Sequence, residues 1–240
     1  MTPTELAGAL AVVTFAGVLR GITGFGGAMM ITPLLSILAG PVPAVVIALI
    51  LETSAALVMF ADAIPKAHWK VLAYLAIPTI FTVPLGGYLL LTLDPVLARK
   101  VIAVVVIVCS TALLFGIRYS GRPRATTSLL LGSIVGAMLG ATSVGAPPVI
   151  LYLLSGPDPA AVTRANLSIF VTAISVIGLV MLAIAGAITV KLALTAALLV
   201  VPFLLSTWLG GKLFTRLNDA IARHIALGLM MTAGIISLLS

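Results

Sequence analysis

Two charged residues stand out because they interrupt apolar runs. Arg20 ends the stretch LAGALAVVTFAGVLR, and Glu52 lies in the middle of IALILETSAAL. The planar guanidinium of arginine suits an oxyanion such as sulfonate, sulfite or carboxylate. Glu52 admits two functional roles. It can carry a coupled proton, because an ionised carboxylate is costly away from water, or it can be the counter-ion of Arg20. The bland alternatives are an Arg20 that snorkels to an interface and a protonated, hydrogen-bonded structural Glu52. Thr53 and Ser54 extend the polar patch.

Directly after Arg20 comes the glycine-rich break Gly21-Ile22-Thr23-Gly24-Phe25-Gly26-Gly27, and a second break, Gly140-Ala141-Thr142-Ser143-Val144-Gly145-Ala146, lies further on. Glycines let a ligand approach the backbone closely. Freed N–H groups at the start of a half-helix favour an anion, and Thr23, Thr142 and Ser143 add hydroxyls. The competing reading is close helix packing. Arg164, Asn166 and Ser168 form a third polar patch. Asn166 and Ser168 can hydrogen-bond substrate oxygens, whereas Arg164 can equally anchor an interface. The substrate-site set is therefore Arg20, Gly21, Thr23, Gly24, Phe25, Gly26, Gly27, Thr142, Ser143, Gly145, Ala146, Arg164 and Asn166, with Glu52 for proton coupling.

These residues are embedded in an apolar chain. Of 240 residues, 62% are hydrophobic and 8% charged, against roughly a quarter charged in soluble domains. Mean hydropathy is +1.32. A soluble enzyme, a nucleic-acid binder and a disordered regulator are all excluded, and the bilayer is the solvent. The net charge of +7 comes from short basic gaps between apolar runs, as expected of cytoplasmic anchoring. Cys109 is alone, so neither an intrachain disulfide nor a thiolate cluster is expected. No HExxH or paired-carboxylate arrangement points to a metal, and no cofactor is implied. The N-terminus lacks a basic n-region, so the first apolar stretch is expected in the mature fold.

Apolar segments run over 5–20, 25–39, 43–62, 71–92, 96–118, 126–141, 145–155, 160–185, 190–214 and 220–239. A bilayer core takes about 20 helical residues. Segments 3, 4, 5, 8, 9 and 10 are long enough, while 1, 2, 6 and 7 are short, each short pair being joined by a glycine break. The halves match in order. Gly21-Ile-Thr-Gly-Phe-Gly pairs with Gly140-Ala-Thr-Ser-Val-Gly, Gly40-Pro-Val-Pro-Ala with Gly156-Pro-Asp-Pro-Ala, and Pro78 with Pro202. The last match is LGGYLLLTLDPVLAR with LGGKLFTRLNDAIAR. The position of Arg20 is taken by Leu139 in the second half. Two five-segment repeats follow, roughly 1–120 and 121–240, in one membrane domain.

Charge sets the topology. If each short pair returns to its starting side, one side holds Lys66, Lys70, Arg118, Arg122, Arg124, Arg164, Lys212, Arg216 and Arg223, and the other Arg99, Lys100 and Lys191. Nine against three obeys the positive-inside rule; broken single crossings divide the charges six against six. The expected fold is therefore all-α and polytopic. It has two inverted repeats, each with a re-entrant or broken helical hairpin plus three full transmembrane helices, and both termini non-cytoplasmic. This is the architecture of secondary transporters. Gly86-Gly87 and Gly210-Gly211 are expected to serve packing, Pro78, Pro84 and Pro202 to kink helices, Trp69 to anchor an interface, and Asp62, Asp94, Asp158 and Asp219 to cap helices or face water.

On GITGFGGAMMITPLLSILAGPVP and its echo GATSVGAPPVILYLLSGPDP, the chain resembles the TauE/SafE family of sulfite and organosulfonate permeases. Gly21, Gly24, Gly26, Gly27, Pro33 and Leu35 fit the family's first motif, and Gly140, Gly145 and Leu154 its second. Ser143 and Ala146 depart from that second motif, as do Pro147-Pro148 and Tyr152. The resemblance implies transport of a sulfur-containing or carboxylate anion across the bacterial cytoplasmic membrane, with a small anion, a proton and the bilayer as partners and no nucleic acid. An anion channel using Arg20 for selectivity is the alternative within transport. A membrane enzyme lacks its usual clustered groups, and an assembly subunit would not need charge at membrane depth.

Overall fold

A computed structural model describes residues 2–116, 124–154, 158–214 and 219–240. Regular structure among them is helical: α1 (Pro3–Thr23), α2 (Gly27–Ala39), α3 (Pro41–Ala63), α4 (Trp69–Thr92), α5 (Pro95–Leu114), α6 (Ala125–Thr142), α7 (Ala146–Leu153), α8 (Ala160–Ile184), α9 (Val190–Phe214) and α10 (Asp219–Leu239). A short 3-10 turn, Ile64–Lys66, links α3 to α4. Seven of these helices are long and apolar enough to cross a membrane, α1 and α6 among them.

That corrects the expected length of segments 1 and 6. The apolar runs stop at Arg20 and Ala141, but the helices carry on to Thr23 and Thr142. They end at the first residue in the left-handed region, Gly24 (φ 77°) and Ser143 (φ 60°). Only α2, with 13 residues, and α7, with 8, are short. The true interruptions are thus Gly24–Gly26 and Ser143–Gly145, half as long as the glycine-rich stretches.

The glycines just before each interruption are packing sites. A methyl group on Gly21 would overlap the carbonyl oxygen of Thr207, and one on Gly140 that of Val83. Gly210 lies against the Val18 carbonyl and Gly86 against the Ala137 carbonyl in the same way. Gly17 faces Ser206 and Phe203, while Gly136 faces Thr82 and Thr79. Every one of these contacts maps onto its partner by the sequence offsets of 119 and 124. Gly86 and Gly210 therefore serve packing, as expected. They set two close crossings, α1 on α9 and α6 on α4, in which the first helix of each half lies on the fourth helix of the other. The third helices, α3 and α8, pack together, as do the fifth, α5 and α10.

Two buried clusters hold the helices together, one around Phe203, Met29, Ile31 and Leu35, the other around Phe170, Ile174, Leu75 and Leu49. Large apolar side chains such as Phe81, Tyr88, Val108, Val180 and Trp208 are exposed outward, as a lipid-facing surface requires. Trp69 is half exposed at the start of α4. Pro78, Pro84 and Pro202 stand inside α4 and α9 without breaking either helix. Asp94 caps α5, accepting from the Val96 and Leu97 N–H groups at 2.9 and 3.3 Å. Asp158 instead pairs with His68 Nδ1 at 3.1 Å. Asp62 is exposed. The basic residues Arg118, Arg122 and Arg216 lie outside the described residues, as do the side chains of Asp219 and Arg223.

Candidate functional site

The site grows from the end of α1. The Gly24 N–H donates to the Arg20 carbonyl at 2.7 Å, closing the helix with a left-handed residue. Thr23 Oγ1 donates to the Leu19 carbonyl at 2.8 Å and receives the Phe25 N–H at 3.4 Å. The second half repeats this pattern. The Ser143 N–H donates to Leu139 at 2.7 Å, Thr142 Oγ1 donates to Met138 at 2.7 Å, and the Val144 N–H donates to Thr142 Oγ1 at 3.2 Å. Both threonine hydroxyls are thereby engaged in shaping their own turns. Ser143 also bonds outward, its Oγ lying 2.6 Å from Thr32 Oγ1 on α2, so the second tip is tied to the first hairpin.

Arg20, three residues before the end of α1, forms an ion pair through Nη1 with Glu52 Oε2. The other carboxylate oxygen, Oε1, accepts the Ala28 N–H at 2.8 Å. Glu52 thus caps the start of α2 from a different helix, meeting both a guanidinium and the positive end of a helix dipole. Both side chains are close to fully buried. The packing is tight: a methyl group on Gly27 would strike Glu52 Oε1, Phe203 Cζ and Arg20 Cδ. Of the two roles open to Glu52, this geometry is that of counter-ion. Taking one charge from such a buried pair strands the other, at about 3–5 kcal/mol.

Both interruptions face one cavity of about 380 Å³. From the first half, Arg20, Gly21, Thr23, Gly24, Phe25, Gly26 and Glu52 line it; from the second, Ser143, Gly145 and Ala146. Gly27 lies behind the wall under Glu52, and Thr142 is buried beside it. Asn166 is not on the wall. It is fully buried, and its Oδ1 accepts the His68 N–H at 2.8 Å. The side chain of Arg164 lies outside the described residues. Thr53 and Ser54 are also off the wall; Ser54 Oγ bonds the Leu51 carbonyl at 2.7 Å.

The wall includes Ser168, whose hydroxyl was expected to be able to reach substrate oxygens, and residues outside the expected readings, among them Ala55, Ala56, Leu139, Ser175 and Thr207. Helical spacing was the available signal. Glu52, Ala55 and Ala56 share one face of α3, and Ser168, Val171 and Ser175 share one face of α8. Ser168 also stands at the repeat position of Glu52: the offset 168 − 52 = 116 equals that of Gly156 from Gly40. The paired positions are therefore Arg20 with Leu139 and Glu52 with Ser168, and all four line the cavity. The first half supplies the charge and the second half neutral counterparts.

The start of α7 differs chemically from that of α2. Pro147 and Pro148 have no N–H to offer, and Gly145 has φ −125° where Gly26 has φ 89°. A cradle of free N–H groups, expected at both half-helices, is thus curtailed at the second by proline and occupied at the first by Glu52.

A multi-pass helical membrane protein with a charged cavity lined by both of its halves is the class these features define. A sequence model for the sulfite exporter TauE/SafE family matches residues 9–237. The chain belongs to that family of membrane transporters. Comparison with curated proteins and with solved structures found no match.

Proposed function

We propose that the protein is a secondary transporter that moves a small organic or sulfur-containing anion by alternating access, with Arg20 as the anion's partner. The observation carrying this reading is that two interruptions 119 residues apart line the same cavity, with a buried arginine in its wall.

The reading includes two inverted repeats whose hairpins enter from opposite faces. Helix lengths support it. From Gly27 to Ala39 is 13 residues, and Pro41–Glu52 on α3 is 52 − 41 + 1 = 12. At 1.5 Å per residue the two stretches are nearly equal, so α2 runs back alongside the first half of α3. The Ala28–Glu52 bond then puts the first tip level with the middle of a spanning helix. On this reading α1, long enough to cross, runs parallel to α9 as far as Thr207 and Gly210 and turns back short of the end of that helix. The sequence's basic excess of nine against three, with Lys66, Lys70, Arg124 and Lys212 on the richer side, favours an orientation with both termini outside the cytoplasm.

Transport proceeds by exchange of partners at Arg20. The incoming anion takes the guanidinium, Glu52 loses its counter-ion, and a proton neutralises the carboxylate for the crossing. This couples anion and proton movement and reconciles the counter-ion geometry with a proton-carrying role. In proteoliposomes, uptake of a short alkanesulfonate should saturate and be stimulated by the same anion on the far side. Glu52→Gln should flatten the pH dependence of that uptake. Channel-rate currents without trans-stimulation would overturn alternating access, and a pH profile intact in Glu52→Gln would overturn the coupling.

A further inference from the structure

The two halves of the chain contribute differently to the cavity wall, and that difference addresses which anion the site takes. Among the described residues, Arg20 and Glu52 are the charged groups of the wall, and they neutralise each other. The second half supplies mainly hydrocarbon, from Ala146, Pro147, Ile150, Leu154, Leu167 and Val171, interrupted by hydroxyls such as that of Ser168. Leu139 stands where a second arginine would be, and the prolines of α7 withhold the donors that a second oxyanion would need.

We infer, building on the transport reading above, that the site selects monoanions bearing an apolar tail, the head on Arg20 and the tail against the α7–α8 wall, and discriminates against inorganic sulfur dianions. One guanidinium balances one charge. A dianion would bring a second charge into an apolar enclosure without a partner, which is costly. The cavity volume of about 380 Å³ falls within the ~300–1,000 Å³ of organic-ligand pockets, so a tail has room. Val171 and Leu154 act here as specificity-determining residues through contact with the tail.

The test is a thermal-shift titration of the purified, full-length protein with methane-, ethane-, propane-, butane- and pentanesulfonate, alongside sulfate as the dianion. A ligand of the folded state raises its stability in proportion to occupancy. Affinity should rise about fourfold for each methylene, with sulfate weakest. Val171→Thr and Leu154→Ser, on the tail wall and away from the ion pair, should each reduce that slope. A flat series, or sulfate binding tighter than butanesulfonate, would overturn the inference while leaving the transport reading intact. A slope unchanged in both variants would overturn the placement of the tail. No stabilisation by any of these anions, together with no uptake of them, would overturn the transport reading itself.

Discussion

Glu52 accepts from Arg20 and from the start of α2 at once, so neither charge can be removed cleanly. Arg20→Ala should abolish anion-induced stabilisation, and Arg20→Ala and Glu52→Ala should each lower intrinsic stability by about 3–5 kcal/mol. The second half contains the compensated alternative, Leu139 with Ser168. The double variant Arg20→Leu/Glu52→Ser should therefore melt above either single alanine variant while binding no anion; thermal unfolding with and without butanesulfonate measures both. A double variant no more stable than the singles would mean that the pair is not coupled. Arg20 and Glu52 were legible from sequence because charge inside an apolar run is costly and needs a reason. Their contact was one of the readings open to Glu52, but choosing it needed the angle between α1 and α3. Asn166 looked equivalent to Ser168 by polarity, yet it braces the His68 backbone, because residues two apart on a helix point to different faces.

At the scale of elements, the interruptions are shaped by backbone conformation. Ser143 holds a left-handed φ of 60° where the first half has Gly24, a conformation costing about 1–2 kcal/mol for a residue with a Cβ. Its hydroxyl offsets that through Thr32, a bond worth about 1 kcal/mol. Ser143→Gly should consequently be near neutral, and Ser143→Ala clearly destabilising, in thermal melts. Gly21→Ala and Gly140→Ala should each reduce the folded yield, because both helices cross a neighbour's carbonyl at those points. Gly228→Ala, where a methyl group would meet nothing within 4 Å, should leave it unchanged. Equal tolerance at all three sites, read by size-exclusion chromatography, would contradict the packing account. The glycine runs announced a break in each half, but not its extent. A glycine that ends a helix and one that lets two helices touch are the same letter, and only tertiary contact separates Gly21 from Gly24.

For the whole molecule, the matched offsets already paired the halves, and the close crossings of α1 on α9 and α6 on α4 follow the same register. What the offsets do not contain is which faces meet across a shared cavity, since that depends on packing between helices far apart in sequence. Inverted orientation carries its own test. In a variant with Cys109 replaced, cysteines at Arg124 and Ser240 should react with an impermeant thiol reagent from opposite sides of the membrane, Arg124 from the cytoplasm. Labelling from the same side would reject the inversion.

The central claim, that both interruptions form one anion site, is tested most directly by ligand protection. Cysteines placed singly at Thr23 on the first wall and Ser168 on the second, in the same Cys109-free background, should be shielded from a small thiol reagent by butanesulfonate with the same half-protecting concentration. Protection of one position only, or of neither while butanesulfonate still stabilises the protein, would contradict it.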